Sequence, residues 1–128
     1  MKNYFWNMFA NIKNGSLAKK AFVYQKNKKQ CQMFLKQLWS EGFILGYKIC
    51  DENPDLLKIF LKYTDGKPVV STVKLISKPG RRIYFSAKQI WKMDLHSGCI
   101  IFSTHRGLKT IDDCKKLNLG GEALVIIN

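Results

Sequence analysis

The chain has 128 residues, 46% of them apolar and 12% aromatic, with 22 Lys+Arg against 9 Asp+Glu and a formal net charge of +13. That length holds one ordinary domain or two very small ones, and the apolar share is enough to bury a core, so a wholly disordered chain is excluded. No run of about 18 apolar residues exists to span a membrane, and the start, Met1-Lys2-Asn3-Tyr4-Phe5-Trp6, has neither signal-peptide nor transit-peptide character; the expectation is a chain that works where it is made.

Phe5, Met8, Phe9 and Ile12 recur at helical spacing and predict a helix over 4–14, ending near Asn14-Gly15-Ser16 because glycine is the usual helix stop. Ala21-Phe22-Val23-Tyr24 reads as a strand. The clearest helix is expected over 28–41, where Cys31, Phe34, Leu35 and Leu38 make one stripe, Asn27 is placed to cap it and Gly42 to stop it. Phe43 to Ile49 is a strand with Gly46 inside, and the acidic stretch 51–55 is a loop. Leu57, Ile59, Leu61 and Tyr63 alternate on one face of the next strand. Asp65-Gly66 joins it to a strand-like run from Val69 to Ile76, because both turn residues tolerate positive φ. The N-terminal half is expected as α-β-α-β-β, two helices on one face of an antiparallel sheet. Lys78-Pro79-Gly80 breaks the chain into halves 1–77 and 78–128.

Beyond the break the expectation is mostly β with one short helix. A strand at Arg82-Ile83-Tyr84-Phe85 leads to a mixed stretch 87–98, a buried strand at Cys99-Ile100-Ile101-Phe102 and a polar loop Ser103-Thr104-His105-Arg106-Gly107. Thr110 opens the helix with Asp113 three residues on; Ile111, Cys114 and Leu117 face inward, and Gly120-Gly121 ends it before a last strand, Glu122 to Ile127. The fold class is α+β, two small α/β halves packed together.

The four cysteines, at 31, 50, 99 and 114, form no Cys-x-x-Cys pair and have no histidine at ligand spacing. Cys31, Cys99 and Cys114 fall within apolar patterns and read as buried free thiols, and no metal or other cofactor is expected. Ser103 and His105 stand two apart without nucleophile-elbow glycines or an orienting acid, so no enzyme and no small-molecule substrate are expected.

Charge is the stronger signal. Residues 1–48 carry nine lysines against Glu41 alone, scattered over several elements rather than lined along one helix, which favours a nucleic acid over a membrane. Lys13, Asn14, Lys19, Lys20, Lys26, Lys28 and Lys29 make an acid-free stretch suited to phosphates, though each lysine alone is an ordinary solvated residue. Lys78, Arg81 and Arg82 flank Tyr84, whose ring can stack on a base or simply pack; Trp6, Trp39 and Trp91 have the same two readings. The run Ser103 to Gly107, with Thr110, offers hydroxyls, an imidazole, a guanidinium and a glycine free of Cβ. Such a set suits the 2′-OH and base edges of a shallow RNA groove, and equally a turn whose hydroxyls satisfy local amides. Asp112 and Asp113 occupy the first turn of the last helix, so no phosphate is expected at its N-terminus.

Several blocks resemble one family end to end. They are Ile12-Lys13-Asn14-Gly15, Ser40-Glu41-Gly42-Phe43-Ile44, Leu61-Lys62-Tyr63, Ile76-Ser77-Lys78-Pro79-Gly80-Arg81-Arg82-Ile83-Tyr84, Ser103-Thr104-x-x-Gly107-x-x-Thr110 and Leu119-Gly120-Gly121-Glu122. Their order and spacing are similar to the bacterial-type small-subunit ribosomal protein S-eight family. The resemblance implies a structural ribosomal protein that binds an irregular helix in the central domain of small-subunit RNA, early in assembly, and touches neighbouring ribosomal proteins. Carried over residue by residue, the RNA contacts are Tyr84, Ser103, Thr104, Gly107, Thr110 and the Gly121-Glu122 turn, with Lys13, Asn14 and Lys29 adding to them. Next to these stand His105, Arg106, Lys78, Arg81 and Arg82. The sequence departs from the family where His105 replaces a third hydroxyl, Lys26 a proline, and Ile90-Trp91…His96-Ser97-Gly98 a Leu-Pro…Gly-Leu-Gly stretch. Richness in Lys, Asn, Ile and Phe resembles an organelle-encoded member, a mitochondrion ahead of a plastid or bacterial cytoplasm. An RNA-binding adaptor outside the ribosome is the other reading.

Overall fold

Met8, Phe9 and Ile12 bury the inner face of helix α1 (Tyr4–Leu17), as their spacing predicts. The computed structural model describes residues 4–77, 80–93 and 98–128; the Phe5 side chain, Lys78, Pro79, His96 and Ser97 lie outside the described residues. Helix α1 does not stop at Gly15 but runs through it. A Cβ on Gly15 would stand 2.5 Å from Val23 Cγ1 and 3.1 Å from Leu61, so this glycine is a point of close approach to the sheet. The stop falls on Lys19, at φ 56, with Lys19 N–H donating to the Ser16 carbonyl and Lys20 N–H to that of Gly15. That is the paired bonding with which helices close on a left-handed residue.

Strand β1 (Phe22–Lys26), helix α2 (Lys29–Ser40), strands β2 (Ile44–Ile49) and β3 (Leu56–Leu61), and the two-residue strands β4 (Tyr63–Thr64) and β5 (Lys67–Pro68) complete the first unit, which ends at Thr72. The sheet order is β1-β3-β2, all antiparallel. Leu57, Ile59 and Leu61 alternate inward, and Cys31, Phe34, Leu35 and Leu38 bury the stripe of α2. Phe9 meets Phe34 edge to face at 5.4 Å, joining the helices. Asn27 is not the cap of α2. Lys28 holds that position, and Asn27 instead ties the loop down, its side-chain amide donating to the Pro54 carbonyl at 3.0 Å and its Oδ1 accepting from Gln32. Asp65 at φ 53 and Gly66 at φ 77 form the tight turn expected of them, here joining β4 to β5.

The second unit runs from Val73 to Asn128. It contains strand β6 (Val73–Leu75), strand β7 (Tyr84–Phe85), helix α3 (Ala87–Lys92), strands β8 (Cys99–Thr104) and β9 (Gly107–Thr110), helix α4 (Ile111–Leu117) and strand β10 (Gly121–Ile127). Three expectations are corrected. The Val69–Ile76 run yields only β6, which pairs with β10 and so falls in the second unit. The mixed stretch 87–98 holds a second helix, α3, opened by a reciprocal cap in which Ser86 accepts from Gln89 N–H and Gln89 Oε1 from Ser86 N–H. Helix α4 ends on Asn118 at φ 54 rather than on the glycine pair, and Leu119, not the exposed Leu117, turns inward.

The sheet order is β6-β10-β8-β9, with β7 on the same edge of β10 as β6. Ile90, Ile100, Phe102, Ile111, Cys114, Leu119 and Ala123 form the core under α3 and α4. A bulge between Ala123 and Val125 rephases β10, so Glu122 and Val125 share one face and Ala123 and Ile126 the other. Ser77 ties Ile83, just before β7, to β10. Its hydroxyl donates to the Ala123 carbonyl at 2.6 Å and accepts from Ile83 N–H at 3.0 Å.

Burial pushes the thiols of Cys31 and Cys114 above the ordinary 9.0; Lys28 opposes this at Cys31, and Asp113 adds to it while Lys109 opposes it at Cys114. Above pH 9 the unfolded chain loses these protons while the folded chain keeps them, so stability is lost as pH rises through that range. The expected result is a urea midpoint that falls above about pH 9 in wild type and falls less in Cys31→Ser/Cys114→Ser.

Candidate nucleic-acid interface

The run Ser103 to Gly107 is not a free loop. Ser103 and Thr104 end β8, His105 and Arg106 form a two-residue turn, and Gly107 begins β9, pairing back to Thr104. Gly107 sits at φ 98, the positive-φ position that closes such a hairpin. The Thr104 hydroxyl donates to the Gly107 carbonyl at 2.8 Å and accepts from Arg106 N–H at 3.1 Å. The turn thus presents the exposed His105 and Arg106 side chains on a braced tip. Thr104→Ala removes both bonds and is expected to cost about 1 kcal/mol, with Thr104→Ser close to wild type in urea midpoint. An unchanged midpoint for the alanine variant would take the hydroxyl out of the turn.

Strand register then assembles residues far apart in sequence. Glu122 pairs with Tyr84 on one side and with Ser103 on the other, and Ser103 pairs with Leu108. Directly paired residues share a sheet face, so Tyr84, Glu122, Ser103 and Leu108 form one row, its first three side chains spanning about 10 Å across three strands. Tyr84 and Ser103 are exposed and Glu122 half-buried. One pair further in, Thr110, Ile101 and Val125 are buried, which confines the open part to the strand ends. The row offers a ring to stack on, a hydroxyl that donates and accepts, and a carboxylate that only accepts.

Two sequence candidates have structural duties. Thr110 is 2% exposed and its hydroxyl caps α4, accepting from Asp113 N–H at 3.3 Å, so it is withdrawn from the surface. A Cβ on Gly121 would stand 2.3 Å from the Ser103 carbonyl oxygen, so this glycine lets β10 pass close to β8. Arg81 and Arg82 are exposed just before Tyr84; Lys78 lies outside the described residues. Asn14 and Lys29 are exposed and Lys13 half-buried in the first unit, on α1 and α2. Sequence reasoning missed Ser77 as the positioning residue, although it stands within the very block that carries the resemblance. Of the tryptophans, Trp39 and Trp91 are exposed and Trp6 half-buried.

Compared with known proteins, the chain falls in the class of ribosomal proteins: residues 4–128 match the family described as ribosomal protein S8. It is 36% identical over 121 residues to the small ribosomal subunit protein uS8 of Shewanella sediminis, covering 94% of this chain and 93% of that one. The uS8 of Wigglesworthia glossinidia brevipalpis is 39% identical over 124 residues, with coverage of 94% and 93%, and that of Buchnera aphidicola 35% over 122, with 95% and 94%. The chain belongs to the ribosomal protein S8 family.

Proposed function

We propose that this chain is a structural protein of the small ribosomal subunit, not an enzyme, whose C-terminal unit binds an irregular helix in the central domain of small-subunit RNA and supports assembly. The observation that carries this reading is the row Tyr84–Glu122–Ser103, exposed at Tyr84 and Ser103, beside the braced His105–Arg106 turn. A distorted stem has a shallow groove wide enough for such a row: Ser103 and Glu122 reach 2′-hydroxyls or base edges, and Tyr84 stacks on an unpaired base. Arg81, Arg82 and Arg106 meet flanking phosphates, while Lys13, Asn14 and Lys29 add contacts from the N-terminal unit. Neighbouring ribosomal proteins are the other partners. The relatives are bacterial, which supports a bacterial-type ribosome. Composition alone supports a mitochondrial home for that ribosome, and nothing in the relatives does.

Filter binding to a fragment of small-subunit RNA tests the reading. Affinity is expected to fall as salt rises, log K against log[salt] sloping roughly −0.7 to −0.9 per neutralised phosphate. A flat salt profile, or absence of the chain from purified small subunits, contradicts the proposal.

A further inference from the structure

The sheet of the first unit has a second face. Val23, Ile59 and Leu61 point to the helix side, where Gly15 of α1 approaches Val23 and Leu61. The opposite side carries Phe22 and Tyr24 of β1, Lys58 and Phe60 of β3, and Lys48 of β2. Phe22 pairs across with Phe60, and Lys58 stands between Tyr24 and Lys48. The rings meet edge to face, Phe22 to Tyr24 at 5.4 Å and Phe22 to Phe60 at 6.4 Å, and Lys58 Nζ lies 4.0 Å from the Phe22 centroid. Tyr24 is 45% exposed.

Two features of this face call for an anionic, aromatic partner. Lys48 and Lys58 lie directly opposite, a like-charge pairing that destabilises a sheet unless something neutralises it. Among the described residues Asp51 pairs with Lys48, at 3.5 Å and in full view of solvent, where an ion pair is weak. Beside them β1 is an edge strand, along which opens a groove of about 420 Å³ lined in part by Asn11, Lys20, Phe22 and Tyr24. Rings interleaved with lysines beside a groove are what base stacking with phosphate tracking requires. An apolar protein surface would have to bury two lysines of like charge with one carboxylate, that of Asp51, between them.

We propose that this face binds a single-stranded stretch of RNA, a base stacking on Tyr24 at the mouth of the groove and Lys20, Lys48 and Lys58 meeting its phosphates. The ligand class follows from the ribosomal reading; these residues belong to the first unit and the Tyr84–Glu122–Ser103 row to the second.

The test uses the full chain and an oligouridine of about ten nucleotides, within the usual single-strand site size, carrying 5-iodouridine. Irradiation is expected to cross-link Tyr24 or Phe22. Tyr24→Ala is expected to weaken oligonucleotide binding about tenfold while leaving the circular dichroism spectrum and the affinity for the irregular stem unchanged. Lys58→Gln provides a second variant that keeps every ring. Cross-links confined to residues 73–128, or unchanged oligonucleotide affinity in both variants, overturn the proposal. Protection of Tyr24 by a purified small-subunit protein, with no effect of either variant on RNA, overturns it in favour of a protein partner. Stem binding without oligonucleotide binding sinks this inference alone; loss of both in wild type sinks the ribosomal reading as well.

Discussion

Gly121→Ala is expected to lower stability by about 1–3 kcal/mol, seen as a fall in urea midpoint at unchanged slope. The added methyl would stand 2.3 Å from the Ser103 carbonyl oxygen and 3.0 Å from its carbon, so backbone rather than a flexible side-chain end must move. The strands displaced are β8 and β10, which carry Ser103 and Glu122, so RNA affinity is expected to fall with stability. Gly46→Ala is the matched comparison: nothing lies within 4 Å of its Cβ, and a change within about 0.5 kcal/mol is expected. A Gly121→Ala protein of native stability that had lost only RNA binding would show that this glycine contacts the nucleic acid itself.

Tyr84→Ala is expected to have the opposite profile. The ring is 63% exposed, so its removal leaves little packing to lose and a midpoint close to wild type. Stacking on one base contributes roughly 1–3 kcal/mol by alanine substitution, so stem affinity is expected to fall at least about fivefold. Tyr84→Phe keeps the ring and separates stacking from the phenolic hydroxyl. Native affinity in the alanine variant would remove Tyr84 from the interface.

What was legible in the sequence was local. The stripe Cys31–Phe34–Leu35–Leu38, the Gly42 stop, the Asp65-Gly66 turn and the Thr110 cap each need only a few neighbouring residues, and each stands where it was expected. Gly15 misled because its reason is non-local: the residues it lets α1 approach, Val23 and Leu61, belong to the sheet. Strand β6 belongs to the second sheet rather than the first for an equally non-local reason, its partner β10 lying some fifty residues downstream. Helix α3 is a different kind of miss. Ser86-x-x-Gln89 is a cap signature written in the sequence, but one buried residue, Ile90, over six positions leaves no periodicity to confirm it.

The site divides in the same way. Tyr84, Ser103 and Glu122 each stood out through their local blocks, yet only the register of β7, β10 and β8 places them in one row. The His105–Arg106 turn lacks an Asn-Gly or Asp-Gly pair, so the hairpin it closes read as a loop. Thr110 read as a contact because a hydroxyl looks alike in sequence whether it caps a helix or faces a ligand.

The most direct measurement is an amide nitrogen–proton correlation spectrum of the labelled chain, titrated with the irregular stem from small-subunit RNA. The shifts are expected to concentrate at Tyr84, Ser103 to Gly107 and Gly121–Glu122, with helix α3 little changed. A saturable complex that leaves those amides in place and moves others instead would contradict the account.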